Sequence, residues 1–553
     1  MKPQRPPSPP ARAVLQPLQA ARAQLAQGWP AQALALLQAL PAGGAEAEVC
    51  SLRGDCHRAL AQFEPASQAY AQALARQPGD ARLRFLYGEM LYYLGRHAEV
   101  VSMLEGLDTG DDRPLAVALA ITLGLSQQAL GLLTQAELNL VRAYLLDPAQ
   151  EEAAVQLAAF YESRGELTQA LHFLRAAARQ HPRSVRVSYN LGSTLSRAGE
   201  TAASIAQLQR TLALAPDHAP AHLNLGIGYL RTLRLREGWP HYAWRTCAHV
   251  RPDASAPGRA AVARLPDDLR GRQVRVIGEQ GIGDELFFMR YLPLLHARGA
   301  TVSYRVFNAR LQSLLPALAN AQADGLGDWR PFDPAEPQDG LCLRVGDLPL
   351  ALGAPADAEF VPPIRLRADA AQAQQFGAEL QAALGARPRV GLTWRAGTAP
   401  GHRGAGLDTF LSKEVPLAAL LEVLAALDVG VVVLQRHPQA AELDLIARRL
   451  GRPWVDASAV DTDLGATLAL LSTLDTVVGV SNTNLHLLAG LGGAAEVLVP
   501  NPGEFRWPEG QPVSPWFPGW QVYHQPADGS WDEPLAQLAA SLARYRGPGA
   551  LPD

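Results

Sequence analysis

A glycine-rich segment that ends in two carboxylates is the first place in the sequence where chemistry could occur. It reads Gly278-Glu-Gln-Gly-Ile-Gly-Asp-Glu285 and follows residues 274–277, which have the composition of a buried strand. Gly281 and Gly283 let the backbone approach a ligand closely, and a helix that starts behind them favours anions. Asp284 is either a group that faces a cleft or a plain N-cap, and spacing alone favours the cap.

A second loop combines glycine with basic residues. It runs over residues 395–406, follows an apolar stretch at 389–394, and is followed by Ser412 and Lys413. Such a loop can wrap the diphosphate of a nucleotide sugar while cations offset charge on the leaving group. A solvated surface loop is the alternative. The candidate donor-binding residues here are Trp394, Arg395, Arg403 and Lys413, with Gln435 at the end of the next predicted strand.

A third loop places small polar residues at a strand-to-helix turn, in the segment 480–490. The amides of this turn can form an anion-binding nest, and a histidine one helical turn later projects to the same side. A capped helix with a buried histidine is the alternative. The donor-binding candidates of this turn are Ser481, Asn482, Thr483, Asn484 and His486.

The elements that must position these loops alternate between strand and helix from residue 273 onward, which predicts parallel sheets with crossover helices. In such sheets ligands bind beyond the carboxyl ends of strands, where the three loops lie. We expect two Rossmann-like domains, at 272–380 and 381–553, with a cleft between them. The predicted strands are 274–277, 301–306, 389–394, 429–434, 476–480 and 496–499, and the predicted helices are 284–298, 309–319, 416–427, 440–450, 464–473 and 482–491.

The N-terminal half repeats with a fixed period. Pro148, Pro182 and Pro216 are spaced 34 residues apart, and Gly192 and Gly226 recur at the same spacing. This register resembles the tetratricopeptide repeat (TPR), in which small residues let paired helices approach closely and proline ends the second helix. We therefore predict an all-α TPR superhelix over residues 13–245, whose groove binds a polypeptide.

Segments beside the repeats are predicted from composition. Residues 1–12 are expected to be disordered, 246–271 to form a linker, and the aromatic residues of 236–245 to cap the last repeat. Asn190 and Asn224 occupy equivalent repeat positions, where they can bind a peptide backbone or pack between repeats.

The bulk composition excludes several classes. A chain of 553 residues exceeds one hydrophobic core, and a net charge of −4 argues against a nucleic acid or an anionic membrane as the main partner. The four cysteines show no paired spacing, and the N-terminus lacks an apolar signal region, so a cytoplasmic location is expected. The uncharged stretch 114–136 fits the repeat register, so we predict no membrane span.

Together these motifs resemble bacterial proteins that join TPR repeats to a heptosyltransferase-like glycosyltransferase of the two-Rossmann GT-B fold. The resemblance covers roughly residues 45–545 and rests on its most specific segments. These are 278–284 with Arg290-Tyr-Leu-Pro-Leu-Leu295, then Val390-Gly-Leu-Thr-Trp394, His486-Leu-Leu-Ala-Gly490, Phe505-Arg-Trp507 and Ser514-Pro-Trp-Phe-Pro518.

The resemblance implies that Asp284 is the general base that deprotonates an acceptor hydroxyl. It also implies that 272–380 is the acceptor-side domain and 381–553 the nucleotide-sugar donor domain. The family's turn usually carries an aspartate that contacts the donor, and Asn482 takes that place here, which keeps the hydrogen bonding but loses the charge. Members of this fold generally need no metal ion or other cofactor beyond the nucleotide-sugar co-substrate. The segment Asp461-Thr-Asp463 looks like a metal-binding motif of another fold, but its position before a helix predicts a cap.

Three functions stay open from the sequence. The first is a protein glycosyltransferase whose repeats hold a polypeptide acceptor, such as a flagellin or another surface protein. The second is a catalytically inactive scaffold, which Asn482 favours. The third is a transferase that acts on a lipid-linked saccharide.

Overall fold

The computed structural model describes residues 9–40, 46–245, 264–317, 328–331, 333, 341–353, 360–396 and 413–545. The chain forms two compact units, residues 1–190 and 191–553. This boundary lies inside the repeat array predicted for 13–245, so the last repeats belong to the same unit as the α/β part.

The described part of the first unit is helical. Its first helix begins at Pro9, so residues 9–12, which were expected to be disordered, are helical. The helices are α1 (Pro9–Ala26), α2 (Pro30–Gln38), α3 (Glu46–Ala59), α4 (Phe63–Arg76), α5 (Ala81–Tyr93), α6 (His97–Leu104), α7 (Arg113–Ala129), α8 (Leu133–Leu146), α9 (Glu151–Ser163) and α10 (Leu167–Gln180), and α11 (Val185–Arg197) crosses the boundary.

Glycine at the repeat position is explained by the packing of each helix pair. A Cβ on Gly88 would lie 2.7 Å from Leu104 Cγ, and one on Gly124 would lie 2.7 Å from Leu140 Cγ. Helices this close need a residue without a side chain at the crossing. The TPR-like fold predicted from this spacing is confirmed. In the part of the chain that the structure describes, no helix has the length and apolar character that crossing a membrane requires.

The second unit starts with the last repeats, which comprise the end of α11, then α12 (Thr201–Leu214), α13 (Ala219–Arg231) and α14 (Leu235–Tyr242). Of the aromatic residues predicted to cap the array, Trp244 stacks on His222 of α13 at a centroid distance of 4.1 Å, whereas Trp239 and Tyr242 are buried against the α/β part. Trp239 makes edge contacts with Phe288 and Phe505, at centroid distances of 6.1 and 6.0 Å. The last repeat and the α/β part therefore share one core.

A four-stranded parallel sheet follows, in the order β3-β2-β1-β4. The chain runs outward from β1 to β3 and then returns to the other side of β1. The sheet therefore has a topological switch point between β1 and β4. Its strands are β1 (Gln273–Ile277), β2 (Thr301–Val306), β3 (Asp328–Pro331) and β4 (Leu341–Arg344), and its helices are α15 (Ile282–Phe288), α16 (Leu292–Ala297) and α17 (Leu348–Ala351).

Two helix predictions in this region were wrong in detail. The helix predicted at 284–298 begins at Ile282 and breaks into α15, a 3-10 turn at Met289–Tyr291, and α16. Gly281 is the N-cap residue, so Asp284 is not the cap. The helix predicted at 309–319 is a 3-10 helix, Ala309–Ala317.

A six-stranded parallel sheet follows, in the order β10-β9-β8-β5-β6-β7. Its order reverses between β5 and β8, which is its switch point. The strands are β5 (Arg389–Leu392), β6 (Gly430–Val433), β7 (Trp454–Asp456), β8 (Thr476–Val480), β9 (Ala495–Val499) and β10 (Gln521–His524), and the helices are α18 (Ala370–Leu384), α19 (Leu417–Ala425), α20 (Ala440–Leu450), α21 (Leu464–Leu471), α22 (Thr483–Leu491) and α23 (Asp532–Ser541).

The edges of the α/β part differ from the sequence-based boundaries. Leu265 and Leu269, near the end of the predicted linker, are buried, and the Leu265 amide donates to the Ala351 carbonyl at 2.7 Å. A Cβ on Gly430 of β6 would lie 2.8 Å from Leu384 Cδ1, which places α18 on the second sheet. The second sheet's layer thus begins before residue 381.

Candidate functional site

Two of the predicted loops approach each other closely. A Cβ on Gly283, in α15, would lie 2.9 Å from Cδ2 of His486 in α22, so only glycine leaves room for the imidazole. Burial, together with Arg506, Arg290 and Lys413, holds the pKa of His486 well below its usual value. His486 is therefore a neutral ring that packs against the loop after β1.

The Asp284 carboxylate is paired with a residue that the sequence did not single out as a site. Arg506, in the loop between β9 and β10, donates from Nη2 to Asp284 Oδ1. The Asp284 side chain is 31% exposed and that of Arg506 is 7% exposed, so the carboxylate stays accessible while the guanidinium is buried. The signal for Arg506 was present in the motif Phe505-Arg-Trp507, which had served only to establish the family resemblance.

This ion pair continues to the turn after β8. Arg506 Nη1 donates to Glu504 Oε2 at 2.9 Å, and Ser481 Oγ donates to the same oxygen at 2.9 Å. Lys413 pairs with the other oxygen, Glu504 Oε1. We call Asp284, Arg506, Glu504, Ser481 and Lys413 the charged chain. It joins the predicted base to two of the predicted donor-binding residues.

A pocket lies beside the charged chain, beyond the carboxyl ends of β8 and β9. Lys413, Ser481 and Glu504 line its polar side, and Gly503 and Trp507 line part of its remaining wall. Parallel sheets bind ligands at these strand ends. The pocket therefore lies where the sheet topology predicts a ligand.

The amide side chains of the turn hold strand ends together. Asn482 caps α22 by accepting from the Leu485 amide at 3.3 Å, and its Nδ2 donates to Thr393 Oγ1 at 2.9 Å. Asn484 Nδ2 donates to the Leu434 carbonyl at 3.2 Å. Thr483, the first residue of α22, is half-buried. Asn482 thus bridges the second switch point, from the end of β8 to the residue after β5.

Trp394, Arg395 and Gln435 form a separate buried network. Gln435 Oε1 accepts from the backbone amides of Trp394 and Arg395, each at 3.0 Å. Arg395 pairs with Glu442 and donates to the His437 carbonyl at 2.8 Å, and Trp394 Nε1 donates to Glu442 at 2.8 Å. These side chains order the ends of β5 and β6. Arg403, another predicted cation, lies outside the described residues.

The first switch point is filled by an arginine from the last repeat. Arg245 is 1% exposed; it pairs with Glu279, after β1, and its Nη1 donates to Asp347 Oδ1, after β4, at 2.8 Å. The Gly346 amide also donates to Glu279, at 3.0 Å. The repeat array therefore holds the base of the loop that carries Asp284.

Glu285 is buried directly behind Asp284. Its carboxylate accepts from Tyr304 Oη at 2.9 Å and from the Phe307 amide at 3.2 Å. Burial raises the pKa of Glu285 to about 7, although these hydrogen bonds act in the opposite direction. A Cβ on Gly278 would lie 1.9 Å from Glu285 Oε1, so glycine is required there. Sequence reasoning missed Glu285 because an acid in a first helical turn is usually exposed.

Within the described ranges, no group of three or more His, Cys, Asp and Glu side chains could hold a metal ion. The Asp463 carboxylate caps α21 by accepting from the Gly465 amide at 2.8 Å, which confirms the cap predicted for this motif. Asp461 pairs with Arg310 and Arg436, each at 3.3 Å.

Comparisons with known proteins add partial similarities. No protein-family model matches the chain. Protein FlbA of Caulobacter vibrioides is 24% identical over 462 residues, which cover 72% of this chain and 74% of FlbA. Among solved structures, the type IV pilus biogenesis factor PilW is 20% identical with a TM-score of 0.35, and covers 38% of this chain and 96% of its own. PilF of Pseudomonas aeruginosa is 19% identical with a TM-score of 0.33, and covers 39% of this chain and 97% of its own.

Proposed function

We propose that this protein is a metal-independent glycosyltransferase of the GT-B type. In this proposal the first sheet and its helices form the acceptor-side domain, and the second sheet and its helices form the donor domain. It would move a sugar from a nucleotide-sugar donor to a hydroxyl of a polypeptide, such as a flagellin or another surface protein, that the TPR array holds. The observation that carries the proposal is the charged chain, because it connects Asp284 after β1 to Ser481 after β8.

The chemistry assigns a role to each end of that chain. The Asp284 carboxylate takes the proton of the acceptor hydroxyl while the acceptor oxygen bonds to the anomeric carbon of the sugar. The bond from that carbon to the phosphate oxygen breaks, and its electron pair leaves with the diphosphate. Lys413 and the Ser481 hydroxyl stabilise the charge that develops on the phosphate, together with the amides at the start of α22.

Donor turnover tests this proposal directly. The purified protein is offered a panel of nucleotide sugars, and release of the nucleoside diphosphate is measured for the wild type and for Asp284→Asn. We expect hydrolysis by the wild type, and a loss of about 100-fold or more in the variant, since general bases contribute on the order of 100- to 10,000-fold. Asp267→Asn is the matched control because the Asp267 side chain is 81% exposed, and its rate should be unchanged.

An inactive scaffold is the second candidate function. It is favoured by Asn482, whose amide is engaged with the Leu485 amide and Thr393, and by the charged chain, whose charged groups are paired with one another. Absence of turnover in this assay, together with no nucleotide binding by calorimetry, would favour this candidate. Mass spectrometry of proteins that co-purify with the repeats would detect a glycan transferred to a polypeptide. If the product were a glycolipid instead, the acceptor would be a lipid-linked saccharide.

A further inference from the structure

Glu504 collects several donors that are suited to a phosphate. Its carboxylate accepts from Ser481 Oγ and Arg506 Nη1, each at 2.9 Å, and pairs with Lys413. A hydroxyl, a guanidinium and an ammonium are the side-chain groups that proteins use to bind phosphate oxygens. The Glu504 side chain is 11% exposed, so these donors satisfy it in a largely dehydrated place.

Within the charged chain, the formal charges of the side chains sum to zero when no ligand is bound. Two cations, Lys413 and Arg506, face two carboxylates, Glu504 and Asp284. A bound diphosphate would add negative charge next to Glu504, and like charges brought together in a low-dielectric site repel. This repulsion is reduced when the Glu504 carboxylate leaves its donors as the phosphate arrives.

A small pocket borders Glu504 and its donors. Glu504 lines the pocket beyond β8 and β9 together with two of its donors, Ser481 and Lys413. A pocket of this size holds about one water molecule, so a phosphate can reach these donors only when the Glu504 carboxylate leaves them.

We propose that Glu504 is an internal competitor for the phosphate of the donor. In the free protein its carboxylate occupies the phosphate position, and a diphosphate binds by displacing it from Ser481, Lys413 and Arg506. This inference rests on the proposed function, because it specifies how the same site takes a nucleoside diphosphate. Donor binding would also release Arg506 from Glu504 and leave it paired with Asp284, so the base changes its surroundings only when the donor is present.

Binding measurements test the competition. Uridine, guanosine and cytidine diphosphates and inorganic pyrophosphate are titrated calorimetrically into the wild type, Glu504→Gln and Glu509→Gln. We expect Glu504→Gln to bind about tenfold tighter or more, since removing a nearby like charge strengthens anion binding. Glu509 is the control because it lies in the same loop but is 42% exposed and pairs with Arg231, at 3.9 Å. Its substitution should leave the affinity unchanged.

The outcomes separate the inference from the function on which it rests. If the wild type binds a diphosphate and Glu504→Gln binds it equally or more weakly, Glu504 is not a competitor, while the donor site stands. If neither protein binds any probe, the donor site and the inference both fail. Should Glu504→Gln not fold, Glu504→Asp is the deciding variant. Its shorter side chain cannot reach all the donors, so this variant should also bind the diphosphates more tightly than the wild type.

Discussion

The two parallel sheets have the same kind of switch point, but the two points are occupied differently. Between β1 and β4, the buried Arg245 pairs with Glu279 and Asp347. Between β5 and β8, Asn482 reaches Thr393 through a neutral hydrogen bond, and the adjacent pocket keeps Ser481 and Lys413 on its wall. Parallel sheets bind ligands at such points. At the first point a buried protein side chain, Arg245, occupies that position instead.

Removing the Arg245 cation from the first switch point should have the largest effect on stability. Arg245→Met leaves Glu279 and Asp347 buried without their cation, and removing one partner of a buried ion pair costs about 3–5 kcal/mol. Urea unfolding followed by circular dichroism measures the loss. Arg264→Met is the control because the Arg264 side chain is 70% exposed, and it should change the free energy of unfolding by about 0.5 kcal/mol or less. If the free energy of unfolding fell by only about 1 kcal/mol in Arg245→Met, Arg245 would merely cover the first switch point and its charge would not be needed there.

Glu285, which is hydrogen-bonded to the end of β2, should make stability depend on pH. Burial raises its pKa from 4.5 to about 7, so the folded protein binds this proton more tightly than the unfolded chain. The contribution is complete below about pH 4.5 and is lost as the pH rises through 7. Between pH 5 and pH 8 we expect the free energy of unfolding of the wild type to fall by on the order of 2–3 kcal/mol relative to Glu285→Gln.

Unfolding by urea at a series of pH values checks this prediction. Glu422→Gln serves as the control because the Glu422 side chain is 61% exposed, and its pH profile should follow that of the wild type. Parallel profiles for the wild type and Glu285→Gln would show that Glu285 does not carry the extra proton.

The segments that follow β1 of the first sheet and β8 of the second sheet are in contact where Gly283 packs against His486. Gly283→Ala places a methyl group 2.9 Å from the buried ring, and such overpacking costs about 1–3 kcal/mol. The added methyl group should also displace the neighbouring Asp284. We therefore expect the rate of donor turnover to fall by a larger factor than the loss of stability alone would cause. Gly377→Ala, in α18, is the control, since its Cβ would lie 4.0 Å from Arg389 and alanine favours a helix. Unchanged turnover in Gly283→Ala would show that the position of the loop after β1 does not affect the reaction.

The smallest effect is expected at the second switch point. Asn482→Asp keeps the cap on α22, and a carboxylate at a helix N-terminus is favourable. The Thr393 hydroxyl can turn to donate to it, so the free energy of unfolding should change by about 1 kcal/mol or less. The preference among donor sugars should change, which the turnover panel measures. A large loss of stability would show that the amide of Asn482 is needed to donate to Thr393.

The sequence predicted the regular elements better than the site. The strands at 301–306 and 476–480 and the helix at 440–450 have the predicted bounds. The first strand alternates apolar and polar residues, the second is almost continuously apolar, and Gly451 ends the helix. Edge strands such as β3 and β10 were missed, since they are short and partly polar. Arg506 and Glu504 were not predicted as site residues because their loop has no periodic pattern, and only folding brings Arg506 to Asp284, 222 residues earlier in the sequence.

The most direct test of the account is an experimental structure of the protein bound to a nucleoside diphosphate. We expect the diphosphate beyond the carboxyl ends of β8 and β9, within hydrogen-bond distance of Ser481 and Lys413, with the Glu504 carboxylate moved away and Arg245 still between Glu279 and Asp347. A diphosphate bound at the first switch point with Arg245 displaced, or one that leaves the pair of Ser481 and Glu504 intact, would contradict it.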